Sequence, residues 1–140
     1  MNQREAREAA LAALYQIDLA DIPEDQALQT ALARCSQEAR AYAAQLVHGT
    51  CALREKIDEI LVARTSGWQL DRIAVIDRNL LRLALYEMIG EGLSPGIAID
   101  EAVEIAKKYG TADSYRFING VLSRTLDDVT RIRKQQSNGE

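Results

Sequence analysis

The chain holds few groups able to do covalent or proton-transfer chemistry. His48 is the only histidine, so a two-histidine metal site and the doubled Glu-x-x-His motif of a di-iron bundle are excluded. Cys35 and Cys51 are the only cysteines and lack CxxC spacing. They read as reduced, partly buried thiols rather than nucleophiles or a disulfide. Asp100, Glu101 and Glu104 cluster near a helix start, where acidic side chains complement the helix dipole. Glu104 is also spaced to pair with Lys107 or Lys108 across one turn. Neither a GxxxxGKS/T loop nor a GxGxxG turn occurs. These residues point away from an enzyme, and no metal and no cofactor is expected.

Cations and aromatics in helical register remain. Arg4 and Arg7 are three apart and share a helix face. Arginine there can grip phosphate in a bidentate manner. Arg78 and Arg82 are four apart, a repulsive spacing that an anion or an acidic neighbour would relieve. Tyr15 follows a stripe of alanines, and Phe117 is the only phenylalanine. Single-stranded RNA is read by stacking bases on such rings and on arginine planes. The net charge of -4 and the pI near 5.1 argue against coating nucleic acid through bulk charge. Any RNA site must be a local basic patch on an acidic body, shared with a partner.

The elements that must position these residues are helices. With 140 residues, 47% of them hydrophobic and only two prolines, the chain suits one domain, residues 1–140, with its own core. Ala6, Ala10, Ala13, Leu14 and Ile17 fall on one stripe of a helix over 3–20. Pro23 opens a second helix to about residue 33. Ser36 begins a long apolar pattern to Leu61, and Gly49 within it marks a kink. A turn is expected at Thr65-Ser66-Gly67. Asp71 is placed as the N-cap of a helix over 72–89 that is apolar nearly all round, hence central. Ser94-Pro95 starts the next helix and Gly110 ends it. Asp113 caps a last helix lined by Ile118, Val121, Leu122, Thr125 and Val129. A polar, frayed tail follows from about residue 134. The fold class is all-α, a bundle of six or seven helices. The charged start MNQREARE is no signal peptide, and no apolar run is long enough to span a membrane.

Four segments carry a family resemblance. REARE with ALYQID (4–8, 13–18), LDRIAVIDRNLLRLALYEM (70–88), AIDEAVEIAKKYG (98–110) and SYRFINGVL (114–122) occur in the order and spacing of the NusB family, which the chain resembles along nearly its whole length. The resemblance implies a two-subdomain helical fold and a non-catalytic cytoplasmic role in transcription antitermination. In that role the protein binds boxA-type single-stranded RNA of ribosomal RNA transcripts. Its partners are a small-subunit ribosomal protein acting as NusE and the RNA polymerase antitermination complex, with no membrane. Some family members form homodimers that mask the RNA face, and the sequence leaves this open.

The resemblance assigns RNA contacts to Arg4, Arg7, Tyr15, Asp77, Arg82, Lys107, Asp113, Arg116 and Phe117. Several assignments have a plain structural rival. Arg4 can pair with Glu8, Tyr15 can sit at a core edge, and Arg82 can pair inside the bundle. Lys107 can pair with Glu104, and the capping role leads for Asp113. Ile118 belongs to the buried stripe, so its neighbour Phe117 falls at the margin. The rival function is a helical protein–protein adaptor with little direct RNA binding. On the RNA reading, Arg7→Ala weakens binding evenly across sequences and flattens its salt dependence, as salt titrations would measure.

Overall fold

A computed structural model describes residues 3–65 and 69–138. Ser66 and Gly67 of the expected turn and Met1 and Asn2 of the charged start lie outside the described residues. Among those described, eight α-helices, one short 3₁₀ turn and no strand are found: α1 (Gln3–Ala20), α2 (Glu24–Leu32), α3 (Gln37–Ala52), α4 (Arg54–Arg64), the 3₁₀ turn (Leu70–Arg72), α5 (Val75–Gly90), α6 (Pro95–Tyr109), α7 (Ser114–Arg124) and α8 (Leu126–Asn138). The all-α expectation holds, and two of the expected helices are each divided.

Both divisions have local causes. The long pattern after Ser36 breaks at Leu53, where φ is -99° and ψ 8°, rather than at Gly49. Gly49 stays helical and serves packing instead. A Cβ there would lie 2.1 Å from the ring of Tyr86, and one at Gly90 would lie 2.2 Å from it. The two glycines are the walls of the slot that holds Tyr86. The last helix breaks at Thr125, whose hydroxyl donates to the Leu122 carbonyl at 2.7 Å. Asp71 does not cap α5. It sits in the 3₁₀ turn, and α5 begins at Val75 with Ala74 at the cap position. Pro95 occupies the first turn of α6 as expected, although the Ser94 side chain makes no capping bond. The polar tail is helical to Asn138, with its last five described residues exposed.

The centre of the molecule is α5. Every residue from Leu81 to Ile89 is buried, with Leu81, Leu85 and Met88 among the most enclosed side chains. It packs against α1, α3, α4, α6, α7 and α8. On its N-terminal side, α1 buries Ala6, Ala10, Ala13 and Leu14, and alanines let α2, α3 and α5 approach closely. The helix ends at Asp21, which adopts a left-handed φ of 53°, a conformation aspartate tolerates.

One polar junction ties α1 and α4 to α5. The Asp18 carboxylate accepts from Arg78 at 2.6 and 2.9 Å, from Asn79 at 2.9 Å and from Arg82 at 2.9 Å. Arg82 also donates to Asp58 at 2.8 and 3.1 Å. The repulsion expected between Arg78 and Arg82 is thus relieved by Asp18, at a junction where both guanidiniums are nearly covered. Burial pushes the Asp18 carboxyl up, but the hydrogen bonds from Arg78 and Asn79 and the charge of Arg82 outweigh it and hold it at about 2.

Asp18→Ala leaves two poorly solvated guanidiniums without their shared carboxylate, so a loss of about 3–5 kcal/mol is expected in urea unfolding at pH 7. The folded pKa lies below the free value of about 3.9. The wild-type advantage is therefore present above about pH 4 and fades as the pH falls towards 2, where the two proteins should converge.

Candidate nucleic-acid interface

The site is built where α6 ends and α7 begins. Lys107, Lys108 and Tyr109 close α6, and Tyr115, Arg116 and Phe117 open α7. The turn between them is tight for a specific reason. A Cβ on Gly110 would lie 2.5 Å from the Ser114 hydroxyl oxygen, so only glycine fits without displacement. Buried Ser114 then accepts the Thr111 N–H at 2.9 Å. Asp113 stands at the cap position of α7, but its side chain makes no capping bond, so the capping expectation holds in position only. Its side chain is exposed.

This junction alternates cations with rings. Lys107 lies 5.5 Å and Arg116 5.4 Å from the centroid of Tyr115, and Arg116 donates to the Tyr115 hydroxyl at 2.9 Å. Lys108 lies 5.2 Å from the centroid of Tyr109. Glu8 of α1 anchors the end of α6, accepting from Lys108 at 2.9 Å and from the Tyr109 hydroxyl at 2.6 Å. Burial favours the neutral form of Glu8, but these two donors prevail and its pKa falls below the usual range. Tyr109 is 47% exposed. It borders a shallow groove of about 230 Å³ together with Tyr15, Leu11, Gln16 and Ile76. Tyr15 and Phe117 are both half-buried, and Phe117 packs against the core margin with one side.

The arginines of α1 and α5 are placed differently from expectation. Arg4 does not pair with Glu8. It grips Glu101 of α6 at 2.7 and 2.8 Å. Arg7 is only 3% exposed, donating to Glu87 at 2.7 Å and Glu101 at 3.1 Å. The Glu87 carboxylate also accepts from the Tyr42 hydroxyl at 2.6 Å. Burial opposes the charge on Arg7, and the two carboxylates overcome it. The expectation of accessible guanidiniums at Arg7 and Arg82 is therefore corrected: both are buried and ion-paired, because each faces an acid on a neighbouring helix. Lys107 pairs with Glu104 at 3.0 Å, as its structural rival proposed, while its side chain stays half exposed. Asp77 is buried at the start of α5. Burial raises its pKa, a Ser114 hydrogen bond acts the other way, and its Oδ1 has no hydrogen-bond partner among the described residues.

The structure thus gathers Lys107 and Arg116 on Tyr115, places Tyr15 beside Tyr109, leaves Asp113 exposed and Phe117 half-buried at the start of α7, and sets Arg7 and Arg82 beneath the surface. It adds Lys108, Tyr109 and Tyr115, which sequence reasoning passed over. The signal lay in the alternation of KKY and SYRF around a short turn, the combination of cation and ring that binds single strands. Chemically the face can hold phosphates on its cations and stack bases on its rings.

Comparisons with known proteins identify the family of the chain and its fold. The model of the NusB family matches residues 4–127. The transcription antitermination protein NusB of Bacillus licheniformis is 44% identical over 130 residues, spanning 92% of this chain and 99% of that protein. A structure of T. maritima NusB superposes with a TM-score of 0.81 at 35% identity, covering 96% of this chain and 92% of that one. A crystal structure of the antitermination factors NusB and NusE in complex with dsRNA matches with a TM-score of 0.79 at 29% identity, covering 94% and 96%.

The two α1 arginines should differ sharply in stability tests. Arg7→Ala abandons the buried Glu87 and is expected to cost about 3–5 kcal/mol in denaturant melts. Arg4→Ala removes a half-exposed pair and should cost about 0–1 kcal/mol. Equal small costs would contradict the burial of Arg7.

Proposed function

This chain belongs to the NusB family, and from that premise we propose that it is a transcription antitermination factor. It binds boxA-type RNA of ribosomal RNA transcripts in the cytoplasm together with the small-subunit ribosomal protein that acts as NusE. The pair promotes processive transcription by RNA polymerase. The protein is an adaptor with no reaction of its own, and residues 1–140 serve as one binding unit.

The observation that carries this reading is the α6–α7 junction, where three cations lie against two tyrosine rings beside the Tyr15 groove. Phosphates approach Lys107, Lys108 and Arg116, with Arg4 at the edge. Bases stack on Tyr15, Tyr109 and Phe117. The exposed Asp113 carboxylate accepts from base amino groups, and the buried Asp77, hydrogen-bonded to Ser114, supports the α6–α7 turn from within. Arg7 and Arg82 hold α1 and α5 in register and so support the face from beneath. An incoming phosphate competes with Glu8 for Lys108, which keeps the cation in place until the RNA arrives. The acidic body limits adhesion to other nucleic acid, so the ribosomal partner supplies the remaining affinity.

RNA binding by the whole protein tests this, using a boxA strand and a scrambled one at several salt concentrations, with and without NusE. Tighter binding to boxA, strengthened by NusE, is expected. Equal weak binding to both strands in every condition would leave only the protein–protein adaptor. Phe117→Ala should lose about 1–3 kcal/mol of boxA binding while the variant still melts cooperatively, with a smaller loss of stability from its core-margin contact. Lys108→Gln should weaken both strands and reduce the salt slope by about 0.7.

A further inference from the structure

The outer ridge of α1 separates two depressions. Ala12 and Gln16 border the Tyr15 groove on one side and a second groove of about 350 Å³, between α1 and α2, on the other. At the saddle stands Ala12, exposed and small, so little rises between the two. Beyond it the second groove offers the amides of Gln16 and Gln26, the Thr30 hydroxyl and the guanidinium of Arg34. Its lining includes neither a carboxylate nor an aromatic ring.

Arg34 is the telling residue. Arg4, Arg7, Arg64, Arg78 and Arg82 are ion-paired to acids of the fold, and Arg40, Arg124 and Arg133 donate to backbone carbonyls. Arg34 is exposed and has no ion pair and no side-chain hydrogen bond among the described residues. The acid that reaches this end of α2, Glu5, accepts instead from the Ser36 N–H at 2.8 Å and its hydroxyl at 2.7 Å. At the far end of α2, Glu24 is engaged with His48. The groove therefore presents one uncompensated cation, bordered by amide and hydroxyl groups, and shares Ala12 and Gln16 with the Tyr15 groove.

We propose that the bound RNA strand does not end at the Tyr15 groove but crosses α1 at Ala12 and enters the α1–α2 groove, where Arg34 holds a backbone phosphate. This inference rests on the RNA reading of the preceding subsection and names the continuation of the same site. Without rings to stack on, the extension binds sugar and phosphate. It adds affinity with little regard to base identity.

The test compares a minimal boxA strand with the same strand lengthened by a few nucleotides at its 5′ or its 3′ end, on wild-type protein and on Arg34→Gln. One of the two extensions should tighten wild-type binding about tenfold, the scale of one charge-assisted contact. Arg34→Gln should abolish that gain, leave the minimal strand's affinity unchanged and lower the salt slope of the long strand alone by about 0.7. Arg34→Lys should keep much of the gain. The proposal is overturned if neither extension tightens binding, or if Arg34→Gln weakens short and long strands alike. It is also overturned if sedimentation shows a second copy of the chain seated on α2 that the long strand fails to displace. Failure of wild type to bind the minimal strand at all would bring down the RNA reading together with its extension, whereas tight binding to the minimal strand with no gain on lengthening would remove the extension alone.

Discussion

The structure depends on how α1 is clamped antiparallel to α5. Near one end Arg7 reaches Glu87, and near the other Asp18 gathers Arg78 and Arg82. Arg7 and Asp18 lie about three turns apart on α1, so both point to the same neighbour. The apolar side chains that α1 buries are only alanine and leucine, and such small, similar residues can pack in more than one register. The ion pairs are less tolerant: sliding α1 by a turn would leave both of its charges, and their partners on α5, buried without compensation. Buried pairs of this kind add little net stability, and what they supply here is a single register.

The candidate interface inherits its geometry from that clamp. Glu101 accepts from both Arg4 and Arg7, so the middle of α6 is tied to the same face of α1 that meets Glu87. One turn further, Glu8 holds Lys108 and Tyr109 at the end of α6. The short turn at Gly110 then fixes where α7 can start, and with it Tyr115, Arg116 and Phe117. A protein of net charge -4 can in this way carry a basic and aromatic face, because Glu8, Glu101 and Glu104 beside it are already engaged by arginines and lysines of the fold, and Asp113 is left as its exposed acid.

Much of the helical plan was legible from periodicity alone, including the central position of α5 and the limits of α1 and α6. The errors were local and share a cause. Gly49 looks like a kink when read along the chain, yet it is a wall for Tyr86, which arrives from another helix. Asp71 resembles a cap, but the chain takes a 3₁₀ turn there before α5 begins. The break at Thr125 had no sequence mark, since a threonine bonding back to the Leu122 carbonyl looks like any other helical threonine.

For the candidate site, the sequence by itself determined which residue types are available: arginines and lysines with a few rings, one histidine, and no set for catalysis. It also determined the amphipathic helices that carry them, since helical period and capping are properties of neighbours in the chain. Which cations remain open to a ligand was decided only by the tertiary structure. Arg7 and Arg116 differ little as residues in a helical sequence, but Arg7 faces Glu87, eighty positions away, and Arg116 faces solvent over Tyr115. Whether a guanidinium is used up inside the fold depends on acids brought to it from distant segments, and spacing along one helix holds no record of them.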